Sequence, residues 1–202
     1  MHTAVPQYTQ PTPFTLVSHP TWEQLQSWWE TMHRDPSDVE CMISDTSPRS
    51  LVDFQKRLHN GQYAHHCLIL EDDSLTASLW LHDLVRDEDH IVRAGWVAVY
   101  IVPGYRGRPD TAMWRLAQEY LQRQGVTSLF AAVHTANRRS RIFARRMGFH
   151  AVGHIHNFRR DQTQRPIDAA IYTMNAKERA FAWQQALKRA ALIQTVELAK
   201  SA

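Results

Sequence analysis

Tyr105 to Trp114, YRGRPDTAMW, set Arg106, Gly107 and Arg108 between a strand-like run, WVAVYIVPG, and a helix-like run, AMWRLAQEYLQRQG. A glycine–arginine turn leading from a strand into a helix suits anion binding. The first-turn amides have no helical partners, and the peptide dipoles leave partial positive charge there. Pro109 removes one amide donor but sits comfortably in a first helical turn. Asp110 places a carboxylate in the same field, stabilising the helix by about 0.3–1 kcal/mol while repelling a phosphate. Thr111 crowds a close approach of backbone to ligand. The turn therefore reads either as an anion cradle or as a helix that caps itself.

Other side chains have types suited to chemistry. His134 ends the run SLFAAVH, and an imidazole with an ordinary pKa of about 6.5 suits general-base work; Tyr100 is a second candidate. The competing reading for His134 is a structural or exposed residue at a strand end. His154 and His156 would share one face of a strand, but no third ligand at metal-binding spacing accompanies them or His65–His66, so no metal is expected. RRSRIFARR carries Arg138, Arg139, Arg141, Arg145 and Arg146, with Arg138, Arg141 and Arg145 on one helical side. A solvated face, a phosphate contact and nucleic acid, helped by Arg159, Arg160 and Arg165, remain open, with nucleic acid not favoured.

Bulk properties bound the answer. The chain has 202 residues, of which 44% are hydrophobic, enough for one domain with appendages. Its net charge of +3 hides an asymmetry. Acids outnumber bases up to Trp80, and arginine dominates beyond it, where the guanidinium fork suits phosphate and carboxylate. Cys41 and Cys67 are the only cysteines, too few for a disulfide scaffold and fitting a reducing compartment. No apolar run is long enough to span a membrane, and MHTAVPQYTQPTPF lacks the blocks of a signal peptide. The expectation is a soluble cytoplasmic protein.

The elements that must position these residues follow from periodicity. Residues 1–13 read as an extended arm. FTLVSH is a short strand. Thr21 to His33 is a helix with a Thr21–Gln24 capping box and a core stripe of Trp22, Leu25, Trp28, Trp29 and Met32. Ser47–Pro48 starts a second helix that buries Leu51, Val52, Phe54 and Leu58 and stops at Gly61. HCLILE and LTASLWLH flank Asp72–Asp73–Ser74 as a hairpin. IVRAGWVAVYIV is a strand, followed by a helix ending near Gly125, the strand SLFAAVH, and a helix from Arg138 to Met147 closed by Gly148. HAVGHIHNF and DAAIYTMN are the last strands. Residues 176–202 read as a long helix whose Phe181, Trp183, Leu187 and Ile193 favour a partner, its own sheet, a second copy or another protein, over a solvated tail. The order β-α-α-β-β-β-α-β-α-β-β argues for a mixed α/β sheet with helices on both faces.

This order and two local motifs resemble the GNAT superfamily of acyl-CoA-dependent N-acyltransferases. IVPGYRGR is similar to the family's V-x-P-x-Y-R-G-x-G-x-G segment. VHTANRRSRIFARRMGF is similar to its V-x-x-x-N-x-x-A-x-x-L-Y-x-x-x-G-F segment, with Val133, Asn137, Ser140, Gly148 and Phe149 at the expected spacing. The resemblance covers roughly residues 14–175. It implies a mostly antiparallel α/β sheet in which strands four and five splay apart and leave backbone groups for the pantetheine arm of acetyl-CoA. It puts Arg106, Gly107, Arg108 and Thr111 around the pyrophosphate, and Asn137 and Ser140 beside pantetheine, with Ile101 also among the cofactor-binding positions.

The family's motifs are not kept throughout. Pro109, Asp110 and Thr111 replace the part of the loop that grips the anion. The tyrosine that often protonates the departing thiolate is Ala144 here, and Gly95 to Val102 contains no carboxylate base. The resemblance implies an N-acetyltransferase using acetyl-CoA, its acceptor amine unknown. The alternative is a protein that keeps the fold without the chemistry and serves a binding or structural role in a larger assembly, such as a phage particle.

Overall fold

The computed structural model describes residues 13–34, 47–106, 110–161 and 163–175. Residues 1–12, Gly107 to Pro109 and the expected terminal helix 176–202 lie outside them. Among the described residues, Phe14 through Asn175 form a seven-stranded sheet with four α-helices on its two faces.

Strand β1 (Phe14–Val17) leads into helix α1 (Trp22–His33). The expected capping box is present: the Gln24 amide donates to the Thr21 hydroxyl, and the Thr21 amide to the Gln24 side chain. Such a cap contributes about 1 kcal/mol. Leu25, Trp28 and Met32 face the core, whereas Trp22 is 47% exposed, one turn too early to reach the sheet. Helix α2 (Leu51–His59) starts later than expected. Ser50, not Ser47, is its cap, accepting from the Asp53 amide, and Val52 points to solvent.

Strands β2 (Tyr63–Glu71) and β3 (Ser74–Arg86) form the expected hairpin. Its loop is Asp72–Asp73, both at positive φ (48° and 63°), the conformation that matches strand twist in a two-residue turn. Strand β4 (Val92–Ile101) pairs antiparallel with β3, and a short 3₁₀ turn, Pro103–Tyr105, follows it. Helix α3 (Asp110–Arg123), strand β5 (Ser128–His134), helix α4 (Arg138–Arg146), and strands β6 (His150–Arg160) and β7 (Pro166–Asn175) complete the chain. The strand order is β1-β2-β3-β4-β5-β7-β6; β4 and β5 are the parallel pair and all other pairs are antiparallel.

Alternation along the strands divides the core in two. On one face, α3 and α4 bury Met113, Trp114, Leu121 and Met147 against Leu79, Leu129 and Tyr172. On the other, α1 and α2 bury Trp28, Met32 and Phe54 against Leu68, Trp80 and Tyr100.

Candidate active site

The parallel pairing of β4 and β5 is short. It joins Ala94 to Ser128, Gly95 to Leu129 and Trp96 to Phe130, and then stops. Beyond it β4 stays paired to β3 up to Ile101, and β5 stays paired to β7 up to His134. The two strands therefore diverge, and the inner edges of Val97–Ile101 and Ala131–His134 face a gap with no strand among the described residues between them. The Val102 amide donates to the Thr76 carbonyl on the β3 side. Alternation then turns the backbone groups of Ile101, Val99 and Val97 toward the gap.

A cavity of about 210 Å³ occupies this divergence and reaches both faces of the sheet. Its first half lies under α3 and α4, against Val97, Val99, Trp114, Ser140, Phe143 and Ala144. Asn137 caps α4: its side-chain oxygen accepts from the Ser140 amide at 3.0 Å, so both residues are fixed at the cavity wall. Arg141 stands on the same helix, and its buried Nε finds no partner among the described residues. The Trp114 indole donates to the Met147 carbonyl at 3.2 Å and ties α3 to the end of α4.

The second half opens on the α1–α2 face, and two bulges build it. In β3 the register shifts between His82 and Val85, with Asp83 at φ 48°. In a regular strand, neighbours point to opposite faces. The bulge lets the Asp83 carboxylate turn back to the His82 ring, Nδ1 to Oδ2 at 2.9 Å. Gly95 makes room beneath: a Cβ there would stand 3.2 Å from Leu84 Cδ2 and 3.3 Å from the His82 carbonyl. Burial pulls the His82 imidazole below the ordinary histidine pKa, and the Asp83 bond partly opposes this. In β6 the register shifts between Ile155 and Arg159, with Asn157 at φ 52°. Asp168 holds that bulge, accepting from the Asn157 amide at 2.9 Å and meeting His156 Nδ1 at 3.0 Å. These bonds keep its carboxyl below the usual range. The bulge carries Phe158 and Arg159 over the cavity, where Phe158 meets Trp96 (6.0 Å between centroids) and Arg159 reaches Asp83 at 3.7 Å.

The residues singled out from sequence are distributed as follows. His134, Asn137 and Ser140 line the cavity. Ile101 borders the gap, and its carbonyl accepts from Arg106 Nε at 3.0 Å. Gly107 and Arg108 lie outside the described residues, as does the side chain of Thr111, whose backbone belongs to α3. Tyr100 is buried on the α1–α2 face, 1% exposed, and its hydroxyl donates to the Thr31 carbonyl at 3.2 Å. It packs the core and does not line the cavity. The sequence reading missed the His82–Asp83 pair, Trp80, Trp96, Phe158 and, as a cavity residue, Arg159. Only the adjacency of His82 and Asp83 was visible in the sequence, and in a regular strand that adjacency would separate them.

No curated protein matches the chain. Among solved structures, a spermidine N-acetyltransferase from Vibrio cholerae in complex with CoA and spermine is similar in fold. Its TM-score is 0.67 at 12% identity, covering 83% of this chain and 98% of that one. RimJ of Mycobacterium smegmatis in complex with CoA-disulfide gives 0.65 at 13% identity, over 82% and 83%. A ribosomal-protein-S5-alanine acetyltransferase from Vibrio fischeri gives 0.64 at 12%, over 83% and 95%. The model of the acetyltransferase (GNAT) domain matches residues 18–171, and with the parallel β4–β5 pair in a mostly antiparallel sheet this establishes that the chain belongs to the GNAT acetyltransferase family.

Proposed function

We propose that the protein is an acetyl-CoA-dependent N-acetyltransferase. The observation that carries this reading is the divergence of β4 from β5, which leaves two unpaired strand edges around a cavity open to both sheet faces. An extended ligand bearing amide groups can pair with such edges as a missing strand would. Val97, Val99 and Ile101 would offer backbone groups to the pantetheine arm, with Asn137 and Ser140 beside it. Arg106, Gly107, Arg108 and Thr111 would meet the pyrophosphate, and Arg141 supplies a further cation from α4. Acetyl-CoA supplies an activated thioester when bound.

The chain's own groups account for the rest. Backbone amides on the inner edge of β4 are fixed donors where negative charge develops on the carbonyl oxygen. The Asp83 carboxylate holds the N–H tautomer of His82 at Nδ1, which leaves Nε2 to take the proton from the attacking amine. Burial keeps that imidazole neutral at neutral pH. His134 is a second imidazole on the same side. Ala144 offers no acid to the departing sulfur. A thiol with an ordinary pKa of about 8.5 leaves readily as thiolate, so solvent can supply the proton later.

The test is transfer itself. Purified protein is incubated with acetyl-CoA and a panel of primary amines, and acetylated product is measured by mass spectrometry together with free CoA. Acetyl-amine formed in step with CoA is expected. CoA release without any acetylated amine would mean hydrolysis alone and would contradict the reading.

A further inference from the structure

The half of the cavity that opens on the α1–α2 face has a distinct chemistry. Trp80 forms its inner wall, backed by Trp28 and Phe54 at centroid distances of 5.7 and 5.6 Å. Trp96, on the neighbouring strand β4, lines it too, in contact with Phe130 at 5.7 Å and with Phe158 at 6.0 Å. Ala98, Ala132 and Ile167 also line this half. Among the described residues that line the cavity, the charged or titratable groups are His82, His134 and Arg159, with no Asp or Glu. The carboxylate bordering it, Asp83, is engaged by His82 and Arg159. Asp168, on β7, is engaged by His156 and the Asn157 amide and also attracts His134.

This lining discriminates among amines. An acceptor with a second ammonium group would bring that charge out of water beside a guanidinium, and among the described residues the bordering carboxylate, Asp83, already faces His82 and Arg159. An aromatic body gains from the same walls, because ring pairs at these separations attract beyond their buried area. A carboxylate on the acceptor would also be tolerated next to Arg159.

We infer that the acceptor is a small amine on an aromatic body with no second positive charge, such as an arylalkylamine or an aromatic amino acid. It lies between Trp80, Trp96 and Phe158 with its amino group toward the β4–β5 gap and His82. This rests on the acetyltransferase reading above, and binding measurements separate the two.

The experiment is isothermal titration in two steps. CoA is titrated first into the full chain. The CoA-saturated protein is then titrated with phenylethylamine, phenylalanine and spermidine in turn, and the series is repeated with Trp96→Ala and Phe158→Ala, each accepted as folded if it still binds CoA. The expected result is that the tighter of the two aromatic amines binds at least about tenfold more strongly than spermidine. It should weaken about fivefold in each variant, the size of one lost ring pair. Spermidine binding as tightly as or more tightly than both, absence of aromatic-amine binding to CoA-saturated protein, or indifference to both substitutions would overturn the assignment. Failure of CoA itself to bind would instead overturn the underlying reading, and this one with it.

Discussion

At the scale of single residues, the proposed reaction asks different work of two histidines. His82 has a carboxylate hydrogen-bonded to one nitrogen and a cavity beside its ring, whereas His134, in the same cavity, meets the Asp168 carboxylate only through space. His82→Gln should therefore lower kcat by about 10²-fold or more, the usual worth of a positioned base, and His134→Gln by much less. In the wild type, kcat/KM should fall as pH drops through a value below the ordinary 6.5, because burial holds His82 neutral, and that limb should vanish in His82→Gln. Equal effects of the two substitutions would reassign the base. His66 is different in kind. It lies in the β2 bulge against Trp28 and Phe54, both ring nitrogens lack a hydrogen-bond partner among the described residues, and burial pushes its pKa down to about 3. The unfolded chain takes up this proton near pH 6.5 and the folded chain not until about 3. Between those values the unfolded state holds more protons, so the stabilisation is complete above 6.5 and is lost as pH falls, approaching 1.4 kcal/mol per unit. Denaturant melts at pH 7, 6 and 5 should show this slope, and His66→Leu should flatten it.

At the scale of elements, the bulges in β3 and β6 do what regular strands cannot. They put His82 and Asp83 within a hydrogen bond and swing Phe158 and Arg159 over the cavity. Gly95→Ala would press a methyl against Leu84 and the His82 carbonyl; the expected outcome is a loss of about 1–3 kcal/mol and a fall in kcat, read by denaturant melts and initial rates. Asp168→Ala would release the β6 bulge. It should raise the acceptor KM several-fold while leaving acetyl-CoA affinity unchanged, and a parallel loss of both would deny the bulge its local role. These elements also show what could be read from sequence. The Thr21 cap, the Asp72–Asp73 turn, the strand SLFAAVH and the Gly148 stop were legible because each depends on local chemistry within a few residues. The start of α2 was misplaced because Ser47–Pro48 and Ser50 offer competing caps, and only the packing of Leu51 and Phe54 decides between them. The acceptor side of the cavity was illegible. It depends on register shifts between strands distant in sequence, which no periodicity encodes.

At the scale of the whole molecule, one geometric fact organises the rest. The sheet is continuous from β1 to β6 except where β4 and β5 part, and the cavity at that opening lies against α3 and α4 on one face and against Trp80, Trp96 and Phe158 on the other. Among the described residues, no helix is long and apolar enough to cross a membrane. The central claim is that acetyl-CoA fills the opening, and thermal denaturation with and without the ligand tests it most directly. At about a hundred times its Kd, the ligand should stabilise the protein by about 2.7 kcal/mol, raising Tm by roughly 5–10 °C for a domain of this size. An unchanged Tm at millimolar acetyl-CoA would contradict the account and leave a GNAT fold that serves as a binding protein.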